Sequence, residues 1–330
     1  MMQLNIIPKH QGALLFQSLS VCTKETEMGV DLGQFMILSE HNRFGFGGHE
    51  TFPFRYGWLK KAVDGIQVLG DDRAIVELGV GKNMVRSIRH WGLATQMLRV
   101  RNGRQLEVSE IGRLLMQKWD PYLEDPASMW LIHWLLIYNP ARAAVWHLVF
   151  TSYTKPEFTK GLLVEFLSDY AARHGLKVKE STVSRDVDCF IRSYVASRSD
   201  RELLEDSFGC PLAELALIQP LRDGEGFRFA IGPKPTLPLE IFGYSLFDYL
   251  ERVAPTRQTL SLSECLYGQG SPGQVFKLDE NSLIEYLEAL QEYTEGAALL
   301  DETAGLKQLY CRRKVAPLSF LDAYYAGWRT

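Results

Sequence analysis

Residues 78–91 read Leu78-Gly-Val-Gly-Lys82-Asn-Met-Val-Arg86-Ser-Ile-Arg89-His90-Trp91, and this stretch decides the fold class. A tight Gly-Val-Gly turn hands over to a helix that starts at Lys82. Helical residues advance by about 100° each. With Lys82 at zero, Arg86 falls at about 40°, Arg89 at about −20°, His90 at about 80° and Asn83 at about 100°. Met84, Val85, Ile88 and Trp91 take the opposite arc, at roughly 180–300°. One side is cationic and hydrogen-bonding, the other apolar. A helix-turn-helix reader needs this division, because its back packs on two other helices while its front enters the major groove. Arginine matches the guanine edge and asparagine the adenine edge. Lys82, at the helix start, suits a phosphate.

Upstream, Tyr56, Leu59, Val63 and Ile66 recur at helical spacing. Gly70 ends that segment, and Asp71 with Asp72 can cap a second helix through Ala74, Ile75 and Leu78. Downstream, Leu98-Arg-Val-Arg101 alternates like a strand, and Asn102-Gly103 is a strong hairpin signal. Arg104 to Val108 returns as a second strand, and Ser109 opens a further helix. Helix, helix, helix, hairpin, helix predicts a winged helix-turn-helix DNA-binding domain over residues 44–122. Its expected DNA-facing residues are Lys82, Asn83, Arg86, Arg89 and His90 on the helix and Arg99, Arg101 and Arg104 on the wing.

Residues 123–235 read as a helical region with a second helix-turn-helix-like unit. Two apolar helices break near Asn139-Pro140, Phe158–His174 and Ser181–Val195 follow, and 227–232 supplies a strand. Val183, Val187, Phe190, Ile191 and Tyr194 form the inner face of the later helix. Its outer face mixes Arg185 and Arg192 with Asp186 and Asp188, and carboxylates repel phosphates, so a structural or protein-contact role is expected there. Residues 236–330 read as an acidic C-terminal helical or winged unit, with helices at Leu239–Arg252, Leu260–Tyr267 and Glu280–Tyr293 and a strand pair within Gly305–Val315. Residues 1–43 are an N-terminal extension without a motif. The predicted fold class is thus mainly α: tandem winged helix-turn-helix units with small β-hairpin wings and a helical linker region.

Composition agrees with a globular protein: 330 residues, 46% hydrophobic and 23% charged. No apolar run is long enough to span a bilayer, and the first twenty residues lack a clean apolar block, so a cytoplasmic location is expected. The five cysteines are scattered and form no zinc pattern. The net charge of −4 conceals an asymmetry: residues 55–104 carry +6 and residues 240–309 carry −8. A basic module next to an acidic one fits nucleic-acid contact by the first.

For chemistry, Gly47-Gly-His49-Glu50-Thr51 is the candidate, with His49 and Glu50 as catalytic residues. A neighbouring His and Glu can do acid–base work or hold one metal. They can equally cap the next helix or tie the loop down, and the residues leave both open. Gly79-Val-Gly-Lys-Asn83 is not a phosphate loop, because Asn83 stands where Ser or Thr is needed and a helix precedes it. No standard nuclease or deaminase signature appears.

Three stretches, residues 47–62 (Gly-Gly-His-Glu-Thr-Phe-Pro-Phe-Arg-Tyr-Gly-Trp-Leu-Lys-Lys-Ala), residues 78–91, and Leu123-Glu-Asp-Pro-Ala127 with Trp130-Leu-Ile-His-Trp134, carry a resemblance. Together they resemble a bacterial SspB-like family, formerly of unknown function, from DNA phosphorothioation and phage-defence islands. It covers roughly residues 44–320. The resemblance implies a DNA-binding component of a DNA phosphorothioate modification (anti-phage) system that nicks one strand before sulfur insertion. It implies a metal-dependent nicking endonuclease using Mg²⁺ or Mn²⁺, double-stranded DNA as partner, and association with a sulfur transferase, an ATPase and a cysteine desulfurase rather than a membrane. It transfers no catalytic residues. A winged-helix transcriptional regulator and a non-catalytic scaffold for the modification complex are the alternatives.

Overall fold

Glycines set the first helix boundaries. Helix α1 (Trp58–Asp64) lies between Gly57 and Gly65, and α2 (Ala74–Leu78) ends at Gly79, whose φ of 63° suits a helix C-terminus. Helix α3 (Lys82–Ala94) follows. Trp58, Leu59, Ala62 and Val63 turn inward from α1 towards Val85, Ile88 and Trp91 of α3. Gly92 permits this approach: a Cβ there would lie 3.0 Å from the Ala62 Cβ. Strands β1 (Leu98–Arg101) and β2 (Gln105–Val108) pair antiparallel, with Leu98 opposite Val108 and Arg101 opposite Gln105. At the turn, Asn102 and Gly103 both have positive φ, 48° and 81°, as the hairpin signal requires. Helix α4 (Glu110–Leu114) is capped by the Ser109 side chain, which accepts from Gly112 N–H at 2.8 Å. It runs on as a π turn over Leu115–Trp119.

The computed structural model describes residues 44–103, 105–196, 209–222, 224–303 and 305–327. The N-terminal extension 1–43 and the expected wing residue Arg104 lie outside the described residues.

Helix α5 (Pro126–Ile137) starts with Asp125 as N-cap and Pro126 in its first turn. Helix α6 is Ala144–Thr151. Every residue of α6 is buried, as is nearly every residue of α5. A helix apolar on all sides belongs at the centre of a protein. Strand β3 (Glu157–Phe158), helices α7 (Lys160–Arg173) and α8 (Glu180–Tyr194), a 3-10 turn at Pro211–Leu215, and strands β4 (Ile218–Pro220) and β5 (Phe227–Phe229) follow. The C-terminal part holds α9 (Leu239–Val253), β6 (Thr259–Ser261), α10 (Leu262–Tyr267), α11 (Pro272–Phe276), α12 (Glu280–Tyr293), β7 (Ala298–Thr303), β8 (Leu306–Cys311) and α13 (Pro317–Gly327). The sheets β3-β5-β4 and β6-β8-β7 are antiparallel throughout.

The chain is therefore mainly α with small antiparallel sheets. Three details differ from the sequence reading. The strand expected over 227–232 ends at Phe229. The C-terminal strand pair is 298–303 with 306–311 rather than lying within 305–315. The helix expected from Leu260 starts at Leu262, because Ser261 and Glu264 form a reciprocal capping box that fixes the boundary and leaves Thr259–Ser261 as a strand.

The described residues pack as one unit, and one continuous buried cluster runs through all three expected segments. Helix α5 makes the connection. Ser128 bonds to the Tyr325 hydroxyl at 2.9 Å, Trp130 Nε1 donates to Thr236 at 3.1 Å, and Trp134 Nε1 donates to Asp248 at 2.8 Å. Among the described residues no helix is long and apolar enough to cross a membrane. Cys189, Cys210, Cys265 and Cys311 are free thiols.

Candidate functional site

The loop before α1 is built around His49, which is 2% exposed. Its Nδ1 accepts from Thr51 N–H at 3.1 Å, which leaves Nε2 as the donor of the ring. Nε2–H then donates to Asp186 Oδ1 of α8 at 2.9 Å, while Gly47 N–H donates to Asp186 Oδ2 at 2.6 Å. The His49 carbonyl accepts from Ser87 Oγ of α3 at 3.0 Å. Two further bonds clasp the loop: Trp91 Nε1 to the Phe52 carbonyl at 3.1 Å and Arg192 to the Thr51 carbonyl at 2.6 Å. Rings of His90, Trp91 and Trp146 surround the imidazole. His49 is thus the pin that joins the loop to α3 and α8. Its neighbour Glu50, held at a φ of 49°, departs from that pin. Its side chain faces Arg86 at 3.7 Å on the wall of a cleft. The two residues read as a chemical pair occupy different environments.

That cleft, of about 420 Å³, is lined by the outer side of α3 together with Glu50, Asp71, Asp72 and Arg142. Lys82, Asn83, Arg86 and Arg89 are exposed on α3, while Val85, Ile88 and Trp91 are buried behind them. The periodicity is realised, with one correction. His90 is only 8% exposed and does not belong to the outer face. It lies at the edge of the polar arc, where the 47–51 loop covers it. A Cβ on Gly48 would come within 2.7 Å of His90 Nδ1. Burial, then the neighbouring His49 and Arg142, lowers the His90 pKa to about 3, so its ring is neutral at physiological pH. Its Nε2 has no hydrogen-bond partner among the described residues.

Acidic groups temper the cleft. Asp72 lies 3.7 Å from Lys82. Asp71 accepts from the backbone and side chain of Arg73, both at 2.9 Å, and these bonds hold its carboxyl below the usual range. Arg89 and Arg142 have no ion pair among the described residues. Arg142 escaped the sequence reading. It follows Asn139-Pro140 in the α5–α6 loop, which is held beside the 44–54 loop by Gly45 N–H to the Pro140 carbonyl at 2.9 Å. Gly45 has no space for a side chain there, since a Cβ would sit 2.0 Å from the Ala141 carbonyl oxygen. No local pattern announces such a loop-to-loop contact.

The wing is less basic than its arginines suggest. Arg99 pairs with Glu107 directly across the hairpin, and Arg101 lies 3.5 Å from the same carboxylate. Counting across the turn from Asn102-Gly103 would have revealed this partner. A second cleft of about 470 Å³ lies beside the wing, lined by Arg99, Ser109, Ile111 and Tyr138 among others. It shares Leu93 and Arg142 with the first, so the two adjoin.

On α8 a second correction applies. Asp186, expected on the outer face, is 3% exposed and serves the His49 loop. Asp188 does face outward, where Lys160 meets it at 2.8 Å. Among the described residues no three His, Cys, Asp or Glu side chains converge as a metal cage. The carboxylates of the cleft each face a cation instead.

The match of the DUF4007 family, described as a protein of unknown function, spans residues 46–325 and takes in both clefts. Among solved structures the chain is similar to one described as "SspB crystal structure", at 30% identity and a TM-score of 0.77, covering 87% of this chain and 90% of that one. It is similar to the magnesium ion-bound SspB crystal structure at 28% identity, with the same TM-score and coverage. No curated protein matches the sequence. With a match over this much of its length, the chain belongs to the DUF4007 family and is SspB-like within it.

Proposed function

We propose that this protein is a DNA-binding component of a bacterial DNA phosphorothioate modification system that acts against phage. It engages duplex DNA through a winged helix-turn-helix unit made of α1 to α4 and the β1-β2 hairpin. One observation carries the reading. Lys82, Asn83, Arg86 and Arg89 are exposed along one side of α3, and its other side is anchored in the core. Arg99 and Arg101 extend that surface as a wing, and Arg104 belongs to it by sequence. His90 is buried and lies outside this exposed face. A gel shift with Arg86→Ala plus Arg89→Ala tests this. Duplex affinity should fall roughly tenfold to a hundredfold, and the salt dependence should flatten by about one phosphate per lost contact. Unchanged affinity at low salt overturns it.

Strand nicking is the finer part of the proposal. The SspB-like resemblance supports it, and a similar solved protein binds magnesium. Glu50 is the carboxylate we assign to that chemistry, with Mg²⁺ or Mn²⁺ as the metal and His49 positioning the loop. Among the described residues its cage is not preformed by protein ligands alone. Magnesium commonly takes one or two carboxylates and completes its shell with water and substrate phosphates. Supercoiled plasmid incubated with either metal should be nicked by wild type and not by Glu50→Ala. Equal nicking by both removes Glu50 from the reaction.

The system places the protein in the cytoplasm beside a sulfur transferase, an ATPase and a cysteine desulfurase. Helix α12 exposes Glu280, Glu285, Glu288 and Glu292, which favours a scaffold role alongside DNA contact. Co-purification of the partners that survives nuclease treatment distinguishes protein docking from tethering by DNA.

A further inference from the structure

His90 is a polar side chain of the cleft lining that surface contacts along α3 leave unused. The Nδ1 side of the ring is packed against the loop at Gly48, the residue whose lack of a side chain lets the backbone pass. Nε2 is buried, unpartnered among the described residues, and part of a ring that lines the cleft. Buried polar nitrogens are nearly always satisfied, so an unsatisfied one points to a ligand. The surrounding charges indicate which kind. Glu50 and Asp72 already face Arg86 and Lys82, each at 3.7 Å, and Asp71 is held by Arg73. The groups left over are Arg89 and Arg142, neither ion-paired among the described residues, and both line this cleft. Two guanidinium forks and one neutral imidazole suit an anion with several oxygen acceptors. Guanidinium groups offer a metal ion no lone pair.

We propose that the floor of this cleft binds one phosphate group, with the ring N–H of His90 donating to one oxygen and Arg89 and Arg142 taking the others. The phosphate can come from a strand crossing α3 or from a free phosphate ester. Only the first source rests on the DNA-binding reading.

The test uses the full chain with ¹⁵N-labelled histidine and follows the imidazole nitrogens. Inorganic phosphate is one arm, and a duplex with 5′-hydroxyl ends is the other. Phosphate should shift the His90 imidazole nitrogen signals saturably. His90→Leu should weaken phosphate binding about tenfold, the scale of a lost hydrogen bond to a charged group. His90→Gln, which keeps an N–H at similar reach, should restore most of it. Arg142→Gln weakens binding through an exposed residue and carries the test if His90→Leu does not fold. A duplex that produces the same shift identifies the strand as the source. A phosphate response without any duplex binding leaves the site standing and identifies a free ester. If neither arm moves the His90 signal, the site is overturned, even where the duplex still binds through the outer face of α3.

Discussion

Helices α3 and α8, of 13 and 15 residues, share an amphipathic layout yet use their polar residues in opposite ways. Helix α3 sends Lys82, Asn83, Arg86 and Arg89 to the surface. Helix α8 turns Asp186 inward, gives Asp188 to Lys160 and gives Arg192 to the Thr51 carbonyl. Both hold the same loop: α3 through Ser87 and Trp91, α8 through Asp186 and Arg192. One helix therefore presents a surface while the other secures the segment that shapes its border. The sign of a polar face does not by itself assign its role. A carboxylate near the edge of the apolar stripe is drawn inside when a remote segment brings it donors.

Removing the clasp should break this comparison most severely. Asp186→Ala strands His49 Nε2–H, a buried donor, and Gly47 N–H, a part-buried one, and should cost about 2–5 kcal/mol in chemical denaturation. A loss well under 1 kcal/mol, roughly the value of a surface pair, would put α8 on the same footing as α3. Gly48→Ala comes next. Its φ of 90° and the 2.7 Å approach to His90 Nδ1 should cost about 1–3 kcal/mol. That change should also disturb the α3 border, visible as altered His90 resonances.

Acid should separate inner from outer polar groups. Burial lowers His90 and His133 to about 3 and also lowers His147. Their folded values lie below the unfolded one, so the unfolded state binds more protons. Stability is therefore complete above about pH 6.5 and is lost as pH falls from there towards 3. Melting temperature should drop between pH 7 and 5, and His90→Gln should reduce that slope. A slope unchanged by the substitution would show that His90 does not titrate as a buried group. The smallest effect belongs to the outer face of α3: Arg86→Ala plus Arg89→Ala should alter stability by only about 0.5 kcal/mol while weakening DNA binding.

Much of the local order was legible in the chain. Lys82 to Trp91 carries its two faces in its spacing, Asn102-Gly103 names the hairpin, and the all-apolar run of α5 belongs at the centre. Ser261 and Glu264 show the capping box for anyone who counts three residues. Glu107 was within reach of the same reasoning, because hairpin register puts it opposite Arg99. Their common feature is that the deciding partners lie within one element or across one short turn.

The sequence by itself determined a mainly helical protein with a cationic stripe at Lys82, Arg86 and Arg89 backed by an apolar one. Tertiary structure alone decided that His90 and Asp186 are inside, that Glu50 leaves His49 behind, and that Arg142 joins the cleft. Periodicity is set by neighbours a few residues away and fixes the centre of each face. The edge of a face depends on which distant backbone settles over it. Here that backbone is the 47–51 loop, 137 residues from the carboxylate that accepts the His49 proton.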